Sequence, residues 1–286
     1  MPAPSPSHLA IASVALLCLN GAVPARAQDA SAWTTDAHAA TRLLAGALVN
    51  KPNESFVRAG IEIHLDPGWK TYWRYPGDTG VPPTFDFAGS TNVKSVVVQW
   101  PAPESFPDGA GGHSIGYVGD VILPLQVIPA DAAHPPSVHV KVNYAVCGTL
   151  CVPAAANLEL TLNGKGDEET VLDQAAQEVP KHEPLGTDDG RGLAIKSVQR
   201  QPGGDGHEQV VVEVAAPAGA PLSLFVEGPT PDWALPLPAE TGVAGPIRRF
   251  TFDLDGLPPG AQAKGAALTF TAVSGTDAIE VPTHLD

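Results

Sequence analysis

The stretch "SVHVKVNYAVCGTLCVP", residues 137–153, decides the fold and poses the question of function. Val138, Val140, Val142, Tyr144 and Val146 recur at every second position, with His139, Lys141, Asn143 and Ala145 between them. A period of two marks a strand with one face in a core and the other outside it. Continued, the alternation ends the strand at Cys147, on the outward face opposite the valines. "GTL" then forms a three-residue tip, where Gly148 suits the backbone angles of a tight turn. Cys151 begins the return strand, so the two cysteines can face each other across a hairpin. Pro153 fits an edge strand better than a central one.

The same alternation runs through "FVRAGIEIHLD" (56–66) and "NLELTLNG" (157–164), with turn signals such as "DPG", "YPGDTG" and "PDGAGG" between the runs. Together with 30 prolines and 29 glycines, this pattern predicts an all-β chain of sandwich type. A first β-sandwich is expected over residues 38–164. Residues 165–190 are acidic and read as a linker with one short helix, Glu169–Glu178, ended by Pro180. A second, smaller β-sandwich is expected over 191–286, built on "EQVVVEVAA", "LSLFVEG", "IRRFTFDLDG" and "ALTFTAVSG".

At the N-terminus, the apolar run Leu9–Val23 precedes "PARAQDA", where Ala25 and Ala27 supply a small-x-small cleavage pattern. Residues 1–27 are therefore expected to be an export signal, cleaved near Ala27. No other stretch approaches the length of a membrane span, so the mature chain is expected to be exported without membrane insertion. The formal net charge of -15 argues against nucleic acid or anionic lipid as a partner, since both need a basic face.

Export places Cys147 and Cys151 where disulfides persist. As a staple the pair is weak, because closing a five-residue loop contributes roughly 2 kcal/mol against about 4.7 for a 100-residue loop. As a metal clip it lacks ligands: His139 is far along the strand, and methionine is absent after Met1. No metal or cofactor is expected. Hydrolase signatures such as Gly-x-Ser-x-Gly and His-Glu-x-x-His are missing as well. A tightly looped, outward pair is suited to exchange with another thiolate. The residues alone leave thiol exchange and a structural staple in a non-catalytic binding module both open, with copper handling as a third reading.

Four motifs in order, "GWKTYWRYPGDTGVPPTFDF", "WPAPESF", "GYVGDVILPLQV" and "YAVCGTLCVP", resemble the N-terminal periplasmic domain of DsbD-type thiol:disulfide interchange proteins. Within that group the chain resembles the ScsB-like, copper-sensitivity suppressor branch. The resemblance covers about residues 41–164 and implies an immunoglobulin-like sandwich with Cys147 and Cys151 as a redox-active pair. It implies that Tyr72 stands near the pair and that Phe106–Ile115 forms a cap loop. Phe106, Asp108, His113 and Tyr117 join Tyr72 as expected shielding or partner-facing residues. The implied role is to relay reducing equivalents in the periplasm, between a separate membrane-embedded electron conduit and thioredoxin-like proteins. Two departures stand out: the cap reads "FPDGAGGHSI" where the DsbD branch is acidic and aromatic, and the C-x3-C spacing is shorter. Cys151 is the expected partner-facing sulfur.

Overall fold

The computed structural model describes residues 29–286 apart from 53, 110, 167, 189, 191, 205 and 206, and the expected export signal lies outside these. Alternating runs become strands. The first part of the chain forms β1 (Thr34–Asp36), β2 (Ala39–Val49), β3 (Phe56–Leu65), β4 (Lys70–Gly77), β5 (Thr84–Asp86) and β6 (Val93–Val98). It continues with β7 (Glu104–Pro107), β8 (His113–Val118), β9 (Val121–Pro129), β10 (Ser137–Cys147) and β11 (Cys151–Thr161). One sheet has the order β1-β2-β3-β9-β6, and the other β11-β10-β4-β8-β7, with β5 also paired to β10. Leu43, Ile61 and Leu123 of the first sheet share a core with Val138, Val140, Val142 and Leu158 of the second. The fold is an all-β sandwich. Its first strand precedes residue 38, because β1 turns back onto β2 with Thr34 opposite Thr41.

The acidic linker does more than connect. Helix α1 (Glu169–Gln177) packs against β2, β3 and β9. Leu172 is 1 % exposed there, a burial that stabilises by about 1.5–3 kcal/mol. Arg58 pairs with both Glu169 and Asp173, and Glu169 also accepts the backbone N–H of Ala47 at 2.8 Å. None of the helices among the described residues is long and apolar enough to cross a membrane.

Eight further strands follow: β12 (Lys181–His182), β13 (Ala194–Pro202), β14 (Glu208–Ala215), β15 (Ser223–Glu227), β16 (Ala239–Ala244), β17 (Ile247–Asp253), β18 (Ala267–Ser274) and β19 (Asp277–His284). They make two four-stranded sheets, β12-β19-β18-β15 and β13-β14-β17-β16, around a second core that includes Val212, Leu224, Phe250 and Phe270. In β15 the run "LFV" is apolar on both faces, the mark of a strand buried on two sides. Leu224 and Val226 enter the second core. Phe225 joins the first core instead, with its ring centroid 6.0 Å from that of Trp73. The two sandwiches therefore meet across one face of the β15 sheet.

Candidate functional site

Strands β10 and β11 stay in antiparallel register from Ser137↔Thr161 to Cys147↔Cys151. Directly opposed residues point to the same face, so the register alone brings the two thiols together. They form a disulfide, with the Cα atoms 4.1 Å apart. The valines of β10 enter the core, while Cys147 and Ala145 share a small cluster with Tyr72 on the opposite face. The expected face is correct, but the expected openness of Cys147 is not: it is only 7 % exposed, because Tyr72 lies over it. Cys151 is exposed.

Gly148 also acts differently from expectation. It does not adopt a positive φ. A Cβ there would lie 3.1 Å from the Trp69 ring, so the glycine lets that ring pack close rather than supplying a special turn angle. Trp69 also stacks on His38, at 3.7 Å between ring centroids, whose Nδ1 meets Asp66 Oδ2 at 2.9 Å.

The site is completed by β4. The Tyr72 hydroxyl stands 2.8 Å from Cys147 Sγ and 3.2 Å from Cys151 Sγ. Burial pushes the Tyr72 phenol above its usual range; a hydrogen bond with Ser114 opposes this, and the charge of Asp108 adds to it. The group therefore keeps its proton and can donate to a sulfur. Behind the ring, Gly80 at φ 142° approaches so closely that a Cβ would fall 2.5 Å from a Tyr72 ring carbon. The ring is thus clasped between the sulfurs and the Pro76–Gly80 turn.

A cavity of about 400 Å³ opens beside the disulfide, with Tyr72, Phe106, Asp108, Ser114, Cys147 and Cys151 among its walls. Phe106 and Asp108 thus line the same cavity as the pair. Asp108 accepts the backbone N–H of Gly112 at 2.9 Å and the Thr79 hydroxyl at 3.1 Å, which ties the cap to the Tyr72 turn. His113 is exposed and uses its backbone N–H on Asp78 at 2.9 Å; its side chain is not part of the cavity wall. Tyr117 lies in the first core, 7 % exposed, with its hydroxyl donating to the carbonyl of Pro101 at 3.0 Å. Alternation along β8 accounts for it, since Ser114 and Tyr117 point to different surroundings.

Sequence reasoning missed Lys70. No cation lies within the Cys-Gly-Thr-Leu-Cys loop, but β4 pairs Lys70 directly with Cys147. The Lys70 ammonium sits 4.2 Å from the Phe106 ring centroid and lines the same cavity. Only the long-range pairing of β4 with β10 reveals it. No group of three or more metal-ligating side chains occurs among the described residues.

The arrangement is a disulfide with one covered sulfur, one open sulfur, a proton donor touching both and a cation nearby. That combination is suited to thiol–disulfide exchange, because a thiolate formed there can accept a hydrogen bond from Tyr72, with Lys70 lining the same cavity. Residues 45–163 match the family model for the N-terminal domain of the thiol:disulfide interchange protein DsbD. The crystal structure of the N-terminal periplasmic domain of ScsB from Proteus mirabilis is similar with a TM-score of 0.68, covering 90 % of this chain and 98 % of that one. At 24 % identity the likeness is one of fold. No curated protein matches the chain.

Proposed function

We propose that this chain is an exported periplasmic relay that passes reducing equivalents through Cys147 and Cys151. The donor is a separate membrane-embedded thiol–disulfide conduit, and the acceptors are thioredoxin-like proteins. The observation that carries the reading is the Tyr72 hydroxyl in contact with both sulfurs, beside a cavity that leaves Cys151 open. The family match over residues 45–163 and the periplasmic origin of the ScsB domain support it.

In the reducing half-reaction, a donor thiolate attacks Cys151 Sγ, the open sulfur. The Cys147–Cys151 bond breaks, a donor–Cys151 mixed disulfide forms, and Cys147 leaves as a thiolate. The Tyr72 hydroxyl donates to that thiolate as it forms, which lowers the barrier to expulsion. The donor's second thiolate then attacks its own sulfur in the mixed disulfide and releases Cys151 as a thiolate. The donor departs oxidised, and the pair holds two electrons. Delivery runs in reverse: Cys151 attacks an acceptor disulfide, and Cys147 resolves the mixed disulfide, leaving the acceptor reduced.

The test is thiol trapping of the pair across a series of glutathione redox buffers, followed by incubation of the reduced protein with an oxidised thioredoxin-like protein. The reading expects a reversible two-electron titration and a trapped intermediate through Cys151. A pair that stays oxidised throughout, and traps nothing, is a staple.

A further inference from the structure

We propose that the second sandwich holds Tyr72 over the disulfide, with Arg74 and Tyr75 as the positioning residues that couple the two. This rests on the reading of Cys147–Cys151 as an exchange site and extends it to the part of the chain after the linker.

The reason lies in how β4 is held. Its first half is fixed inside the first sandwich: Lys70, Thr71 and Tyr72 pair with Val118, Tyr117 and Gly116 of β8. The Thr71 hydroxyl donates to the carbonyl of Ala145 at 2.9 Å. The ladder then breaks, and β4 does not meet β8 again until Gly77 opposite Ser114. The residues in the gap are held by the second sandwich instead. Arg74 makes a two-pronged pair with Glu227, at 2.8 and 2.7 Å, and also pairs with Glu280. The Tyr75 hydroxyl lies 3.0 Å from the carbonyl oxygens of both Trp233 and Leu235. The Trp73 ring packs on Phe225.

The carboxylates are poorly solvated, with side-chain exposures of 18 % for Glu227 and 12 % for Glu280. An ion pair this sheltered adds little net stability over an apolar contact, but it fixes geometry strongly, because either partner alone would be a stranded charge. Two-pronged arginine–carboxylate pairing sets orientation as well as distance. Both acids come from one sheet: Phe225 faces Thr271, Thr271 faces Glu280, and Glu227 extends the same side of β15.

What lies beyond the gap makes this grip matter to the sulfurs. Immediately after Tyr75, the chain turns through Pro76–Gly80, and Gly80 backs the Tyr72 ring. Asp78 and Thr79 in that turn bind the cap through His113 N–H and Asp108. The Tyr72 ring is therefore bracketed in sequence by a sheet anchor before it and a second-sandwich anchor after it. Loosening the second anchor releases the turn, and with it the backing that keeps the hydroxyl on Cys147.

The test reads Tyr72 through Cys147 without requiring any protein partner. In a Cys151→Ser background, the Cys147 thiolate is titrated by its ultraviolet absorbance. The anchors are weakened by Tyr75→Phe, which removes one hydroxyl, and separately by Glu227→Gln with Glu280→Gln, which keeps shape while removing charge. Each variant is checked for an intact fold by circular dichroism. The expected result is a Cys147 pKa raised by about half a unit or more, a threefold or larger loss of thiolate at fixed pH. Adding Tyr72→Phe should abolish the further shift, since the anchors act only through that ring's hydroxyl. An unchanged pKa in both folded anchor variants overturns the proposal, as does a shift that persists undiminished in the Tyr72→Phe background. Failure of the relay reading shows elsewhere, as an absence of exchange with glutathione in the unmutated pair.

Discussion

The Tyr72 hydroxyl and Cys147 Sγ are 2.8 Å apart although they lie 75 residues from each other in the chain. Two constraints hold this contact: Cys147 is fixed by its pairing with Cys151 and Lys70, and the Tyr72 ring is backed by Gly80. The phenol remains protonated well into alkaline pH, because burial disfavours the phenolate. A neutral donor against sulfur favours the thiolate over the thiol. It therefore aids cleavage of the disulfide rather than its formation.

Tyr72→Phe is expected to slow reduction of the pair by a small-molecule dithiol about tenfold. A hydrogen bond to a charged group contributes about 1.5–3 kcal/mol, of which part is realised in the transition state. Stopped-flow kinetics with the folded variant measures it. A rate equal to that of the parent would mean the hydroxyl does not assist the leaving sulfur.

Single-cysteine variants should separate the two sulfurs. With Cys147→Ser, the remaining exposed Cys151 is expected to alkylate at least about tenfold faster than Cys147 does in Cys151→Ser, since access as well as thiolate fraction limits the rate. Timed iodoacetamide labelling resolved by mass spectrometry reads the ratio. Equal rates would remove the assignment of Cys151 as the partner-facing sulfur.

Gly148→Ala should destabilise the oxidised protein by up to about 1 kcal/mol, at or below the low end for overpacking, because its Cβ would press on the partly buried Trp69 ring at 3.1 Å. Combining it with Trp69→Leu should recover part of that loss. Urea unfolding curves provide the measurement, and a Gly148→Ala cost that Trp69→Leu leaves untouched would point to backbone strain instead.

Alkaline pH should weaken the fold through its tyrosines. Burial pushes Tyr75 up to about 12, and Tyr72, Tyr117 and Tyr144 are raised for the same primary reason. The folded state then holds protons that the unfolded state has released above its pKa of about 10. Stability from these groups is complete below that value and declines as pH rises through the folded pKa, for Tyr75 between about 10 and 12. Tyr75→Phe should flatten the decline. Phenolate absorbance followed alongside thermal unfolding tests this, and tyrosines that ionise near pH 10 in the folded protein would contradict it.

The double variant Cys147→Ser/Cys151→Ser should lose only about 2 kcal/mol, as expected for so short a loop. The valine face of β10 lies in the core and is expected to hold the strand there without the bridge. Calorimetry of the oxidised parent and the variant gives the difference, and global unfolding of the variant would restore the staple reading.

The period of two in "SVHVKVNYAV" was enough to place the β10 valines in a core, and with "GTL" to set Cys147 opposite Cys151. Those features are local: side-chain alternation and a short turn follow from the backbone geometry of neighbouring residues. The burial of Cys147, the cation at Lys70 and the role of Gly148 were not legible, because each depends on Trp69, Lys70 or Tyr72 arriving from β4 and the turn before it. Likewise "LSLFVEG" reads as a strand, but not as one where Phe225 meets Trp73 and Glu227 meets Arg74. The sequence by itself determined the alternating runs that become strands, and a hairpin on which the two sulfurs can meet. Only the tertiary structure decided which sulfur is covered and by what, because the pairing of distant strands is set by whole-core packing rather than by the residues adjacent to the cysteines.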